Sequence, residues 1–111
     1  MRPKTKCPAE ATLIVIGGSW KVPILWHLSK EVKRFSQLRR DLPGVTPKML
    51  TQQLREMERH SIVTRKVYPQ VPPRVEYGLT PRGRSLLPVV AAMCKWGKRW
   101  RTKFDNSKSA G

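Results

Sequence analysis

Residues 42–59 read LPGVTPKMLTQQLREMER. Pro43-Gly44 marks a turn. Thr46 followed by Pro47 is a strong helix start. A threonine hydroxyl accepts from first-turn N–H groups, and proline at the first helical position gives up an N–H that has no helical partner. In the helix this predicts, from Pro47 to about His60, Leu50, Leu54 and Met57 recur at helical spacing and mark a buried face. Lys48, Thr51, Gln52, Arg55 and Arg59 fall largely on other faces.

Upstream, Pro8–Ile16 reads as a helix with Cys7 at its cap, ended by Gly17-Gly18. Ser19 is a candidate cap for a second helix with Trp20, Ile24 and Leu28 at helical spacing, although Pro23 leaves its start open. Lys30–Lys33 is a polar break. Ser36 is the expected cap of a short third helix whose apolar face is Phe35, Leu38 and Leu42. Downstream the period changes from helical to two. Val63–Tyr68 and Val75–Leu79 alternate around the Pro-rich stretch Pro69-Gln70-Val71-Pro72-Pro73, which predicts a hairpin. Thr80-Pro81 repeats the cap-plus-proline start and opens a C-terminal helix that Pro88 kinks or divides. Leu86, Val90, Met93, Gly97, Trp100 and Phe104 form a heptad-like seam on it, widened by Val89 and Trp96.

The chain has 111 residues, enough for one domain, and a formal net charge of +16. A domain this basic attracts polyanions, namely DNA, RNA or an anionic membrane surface. No apolar run is long enough to span a membrane. Met1–Lys6 lacks the apolar core of a secretory signal, so a cytoplasmic location is expected. Cys7, Cys94, His27 and His60 have no metal-site spacing, and neither a metal nor a cofactor is expected. The seven acidic residues are scattered, and neither histidine has a nucleophile–base companion, which argues against an enzyme.

Short helices joined by a turn, a helix with polar outward residues, and then a hairpin make a winged helix-turn-helix: mainly α with a small β-hairpin. The major groove of duplex DNA admits one helix, and Lys48, Thr51, Gln52 and Arg55 are types that read base edges. Thr46 and Pro47 complete the candidate recognition helix. Arg65, Lys66 and Arg74 of the wing could grip phosphates or enter the minor groove. The plain alternative for the helix is a solvated polar face.

The chain resembles the HxlR family of MarR-like bacterial winged helix-turn-helix regulators. The resemblance runs through Cys7-Pro8, IGGSWK at 16–21, RFSQLR at 34–39, the 42–58 stretch, VPPRVEY at 71–77 and LTPRGRSL at 79–86. It covers roughly Cys7 to Trp100. It implies a homodimeric DNA-binding regulator with helices from both chain ends at the interface, which adds Leu13 of the first helix to Val90, Met93, Trp96, Trp100 and Phe104. Where the family often has a glycine after the recognition helix, this chain has Ser61, so either a different turn or some strain is expected there.

The dimer is also expected from the residues alone, because Trp96, Trp100 and Phe104 on an extended helix need cover. The expected organisation is a basic N-terminus at 1–6, the winged domain with its dimerisation helix at 7–104, and a disordered tail at 105–111. Cys7, near Arg2, Lys4 and Lys6 and at a helix N-terminus, is a candidate oxidant or electrophile sensor, with an inert thiol as the alternative. Cys94 reads as core. The expected function is repression from an inverted-repeat operator; the competing reading is a non-specific RNA-binding or architectural protein. A small-molecule effector site lined by Trp20, Trp26 or Trp96 is a variant for which no residue pattern identifies a ligand.

Overall fold

The computed structural model describes residues 7–110, with side chains described through Arg101. The elements run α1 (Pro8–Ile16), α2 (Lys21–Lys30), β1 (Lys33–Arg34), α3 (Phe35–Asp41), α4 (Pro47–Arg59), β2 (Val63–Tyr68), β3 (Arg74–Leu79), α5 (Pro81–Ser85) and α6 (Leu87–Ala110). The architecture is α+β: helices packed with one antiparallel sheet of order β1-β3-β2.

The start of α4 is as the sequence implies. Thr46 Oγ1 accepts from the Met49 N–H at 3.1 Å, and Pro47 occupies the first turn. Leu50, Leu54 and Met57 are all buried, and they meet Ile24, Leu25, Leu28 and Leu38 in a single apolar core. Burying each such side chain is worth about 1.5–3 kcal/mol, so α4 is held mainly by this face. Gly44 makes the turn before α4 at φ +90°, a conformation that costs other residues a Cβ clash.

Several boundaries differ from the sequence reading. Trp20, not Ser19, caps α2, and its side chain makes no capping hydrogen bond. Pro23 then falls within the first turn, where a missing N–H breaks no helical bond. Ser36 lies inside α3, which starts after Arg34; there the Gln37 side-chain oxygen accepts the Arg34 N–H at 2.8 Å. The polar break ends in a strand, β1, whose two residues pair Lys33 with Tyr77 and Arg34 with Glu76. The hairpin is therefore part of a three-stranded sheet. The C-terminal helix divides at Leu86, which puts Pro88 in the first turn of α6. The backbone of α6 stays helical to Ala110, where a disordered tail was expected; after Gly97 no glycine or proline interrupts it before that point. The other tail, 1–6, and the side chain of Phe104 lie outside the described residues.

Between α4 and the wing the chain turns through Ser61, whose φ is +61°. The Ser61 N–H donates to Glu58 O and the Ile62 N–H to Met57 O, both near 3.0 Å. This pair of bonds is the Schellman closure, which favours glycine at the left-handed position. The turn is pinned from outside as well. Thr80 Oγ1 donates to Ser61 O at 2.6 Å and accepts from the Gly83 N–H at 2.8 Å. Gly83 is pressed so close that an added Cβ would lie 2.3 Å from Ile62 O.

A left-handed conformation costs a non-glycine residue about 1–2 kcal/mol, and glycine's greater freedom when unfolded returns about 0.5–1 kcal/mol of that. Ser61→Gly is expected to raise stability by about 0.5–1 kcal/mol, read as a higher urea midpoint at unchanged slope. A lower midpoint would show that the serine is not strained.

Candidate nucleic-acid interface

Helix α4 is about 20 Å long at 1.5 Å per residue. With Leu50, Leu54 and Met57 turned inward, Lys48, Gln52, Arg55 and Arg59 form one exposed stripe, bordered by the half-buried Thr51. Thr46 and Pro47 are exposed at its start; the Thr46 oxygen is used as the cap, and its hydroxyl proton remains able to donate. Arg65 of β2 joins this surface, lining a small hollow with Thr51, Arg55, Glu58 and Tyr77.

The other two wing cations do not join it. Side chains alternate across a strand, so Lys66 and Arg74 occupy the opposite face of the sheet. There the Arg74 guanidinium lies 4.0 Å and Lys66 Nζ 5.0 Å from the centre of the Tyr68 ring. Arg74 Nε also lies 3.7 Å from Glu76 Oε2. Tyr77 is buried and Tyr68 is covered by these cations, so neither strand tyrosine offers the open ring that base stacking on the sheet requires.

The orientation of α4 is set by a contact that the residue pattern did not flag. Lys21 of α2 is buried, and its Nζ lies 2.7 Å from Glu56 Oε1. The hydrogen bond from Lys21 holds the Glu56 carboxyl below the usual carboxylate range, against a smaller opposing effect of burial. A second link, Lys33 Nζ to Asp41 Oδ2 at 2.5 Å, ties β1 to the end of α3 and likewise lowers the Asp41 pKa. The sequence reading also gave no role to Arg39 and Arg40, which are exposed on α3 beside Ser36. Their only sequence signal is charge in the helix that precedes the turn.

Of the residues expected at a dimer interface, Leu13, Met93, Trp96 and Trp100 are exposed, with Trp96 at 59%. Val90 is not among them. At 6% exposure it belongs to the chain's own core, because the seam's first turns face α2. The Trp96 and Trp100 rings meet in a tilted contact, 6.4 Å between centres. Cys7 caps α1 and is exposed. Cys94 is also exposed, not core, and lines an open groove between α2 and α6. The three tryptophans considered for an effector site do not converge: Trp20 packs on the core, Trp26 lines the groove, and Trp96 is exposed without lining it.

Residues 15–105 match the model of the HxlR-like helix-turn-helix family. The chain belongs to this family. The uncharacterized HTH-type transcriptional regulator YdeP of Bacillus subtilis (strain 168) is 48% identical over 104 residues, covering 94% of this chain and 81% of that protein. Among solved structures, the redox regulator HypR in its reduced form superposes with a TM-score of 0.85 at 49% identity, covering 90% of this chain and 99% of that one. HypR in its oxidized form gives 0.78 at 53% identity, covering 84% and 96%. The HxlR-type winged helix-turn-helix expected from the sequence is thus the observed fold. No single helix among the described residues is long and apolar enough to cross a membrane.

Because the folded Glu56 pKa is lowered, its contribution to stability is complete above the ordinary carboxylate range. It is lost as pH falls through the lowered folded value. Glu56→Gln is expected to flatten the acid side of the stability profile while costing about 2–3 kcal/mol at neutral pH, since Lys21 loses its charged partner. Denaturant titrations at several pH values test this; an unchanged acid slope would show that Glu56 does not carry the dependence.

Proposed function

We propose that this HxlR-type protein is a sequence-specific regulator that binds duplex DNA as a homodimer and represses by occupying an inverted-repeat operator. The observation that carries the reading is the continuous exposed stripe Lys48, Gln52, Arg55 and Arg59, with Thr51 and Arg65 alongside, on a helix whose other face is locked into the core. Arg forks onto guanine, Gln onto adenine, and Thr meets the thymine methyl. Arg39 and Arg40 suit phosphate contacts from the preceding helix, which crosses the backbone in such motifs. The net charge of +16 supplies non-specific affinity and a steep salt dependence.

Dimerisation uses the exposed apolar band of α1 and α6, with Leu13, Met93, Trp96 and Trp100 as its described members. A two-fold dimer places its recognition helices about 34 Å apart, or a multiple of that, on one side of the duplex. Cys7, exposed at the N-terminus of α1, is the candidate sensor. The relative HypR is named a redox regulator, and a helix N-terminus favours the thiolate.

Selection of bound fragments from random duplex DNA at physiological salt is expected to return a shared inverted repeat. Fragments with no common sequence would replace this reading with non-specific nucleic-acid binding. On the selected site Arg55→Ala should cost about 1–3 kcal/mol and leave random DNA nearly unaffected; equal losses on both would make Arg55 a phosphate contact. Trp96→Glu should give a monomer in sedimentation at micromolar concentration, and a persistent dimer would move the interface elsewhere. An oxidant response of DNA binding that survives Cys7→Ser would remove the sensor role.

A further inference from the structure

Helix α6 carries two separate stripes. Met93, Trp96 and Trp100 belong to the exposed band assigned above to the dimer, and Val89 is exposed on the same side. About a third of a turn round, at 3.6 residues per turn, a second stripe faces a groove against α2. The groove holds about 920 Å³ and is mostly apolar, within the roughly 300–1,000 Å³ range of small-molecule sites.

Its lining is ordered along the helix. Leu87, Val90 and Ala91 form the floor at the N-terminal end, with Trp26 of α2 also in the lining. Cys94 lies midway. Lys95, Lys98 and Arg101 gather at the far end, and Lys30 adds a cation 4.4 Å from the centre of the Trp26 ring. Among the described residues no acidic side chain lines the groove. From Leu87 to Arg101 the helix rises about 21 Å, so an apolar trough passes into a cationic end over that length.

We propose that this groove binds an amphipathic organic anion: a fatty-acid-like carboxylate whose chain lies on Val90 and Ala91 and whose carboxylate meets Lys98 and Arg101. Charge complementarity selects an anionic occupant, because Lys95, Lys98 and Arg101 gather at one end of an otherwise apolar lining. The volume, and the run of about 21 Å from Leu87 to Arg101, select an extended body over a single-ring acid, which would leave most of the trough wet. Trp26 follows Lys21 on α2 by just over one turn, and Lys21 holds Glu56 of α4. An occupant of the groove therefore bears on the helix that orients the DNA-reading surface.

Cys94 supplies the readout. In the full chain carrying Cys7→Ser it is the single thiol, and its alkylation by a maleimide can be followed by mass. Dodecanoate below its micelle concentration is expected to slow alkylation saturably, with calorimetry giving one site per chain. Lys98→Glu should weaken that binding about tenfold through loss of a charge-assisted contact. Ala91→Trp should abolish it by filling the floor, with circular dichroism showing the fold retained. Equal protection by neutral dodecanol, or binding unchanged in both variants, would overturn the proposal. So would a Cys94 that is already unreactive without ligand, which would show the groove covered by a second copy. None of these readouts uses DNA binding, so they stand or fall apart from the regulator reading.

Discussion

The ion pair between buried Lys21 and half-buried Glu56 fixes how α4, the candidate recognition helix, sits on the rest of the molecule. A lysine ammonium taken out of water is costly unless a partner answers it, and here the answer comes from the helix proposed to read DNA. The apolar face of α4 could tolerate small slides along the core, because dispersion contacts are non-directional. A 2.7 Å hydrogen bond from α2 to one carboxylate oxygen does not tolerate them. Base readout depends on donors placed to within a fraction of an ångström, so the ion pair turns a packed helix into a positioned one.

The far end of the same helix is constrained differently. The turn at Ser61 is closed by its own backbone bonds and clamped by Thr80 and Gly83 of the segment that follows the wing. The hairpin thus leaves and rejoins the body at one point, which sets the angle between wing and recognition helix. It also places Arg65, near the base of the wing, beside Arg55.

Much of this was legible from residue order. α1 and α4 follow from proline at the first helical position, and in α4 a capping threonine and three core residues at one spacing agree with it. The expectation at Ser61 comes from the resemblance instead, since the family often has a glycine there. What escaped needs a partner distant in sequence. β1 is two residues long and exists because β3 pairs with it. Lys21 reads as a surface charge until Glu56, thirty-five positions away, meets it. The seam on α6 does not say which of its stripes its own chain covers: Val90 shares the seam with Met93 yet is buried, while Cys94 is exposed. The wing is another matter: Arg65 and Lys66 are adjacent on a strand and therefore face opposite ways, which alternation alone implies.

Strand β2 lies at the edge of its sheet and leaves one row of backbone donors and acceptors open to any passing extended chain. Its own sequence, VTRKVY, has the β-branched and aromatic character that would invite such pairing. The adjacent cations Arg65 and Lys66, one on each face, make a second copy of the same edge repulsive from either side, and the prolines that follow cannot extend a ladder. The basic character of the wing therefore also acts as a guard against self-templated aggregation, a task it performs whenever the protein is away from DNA.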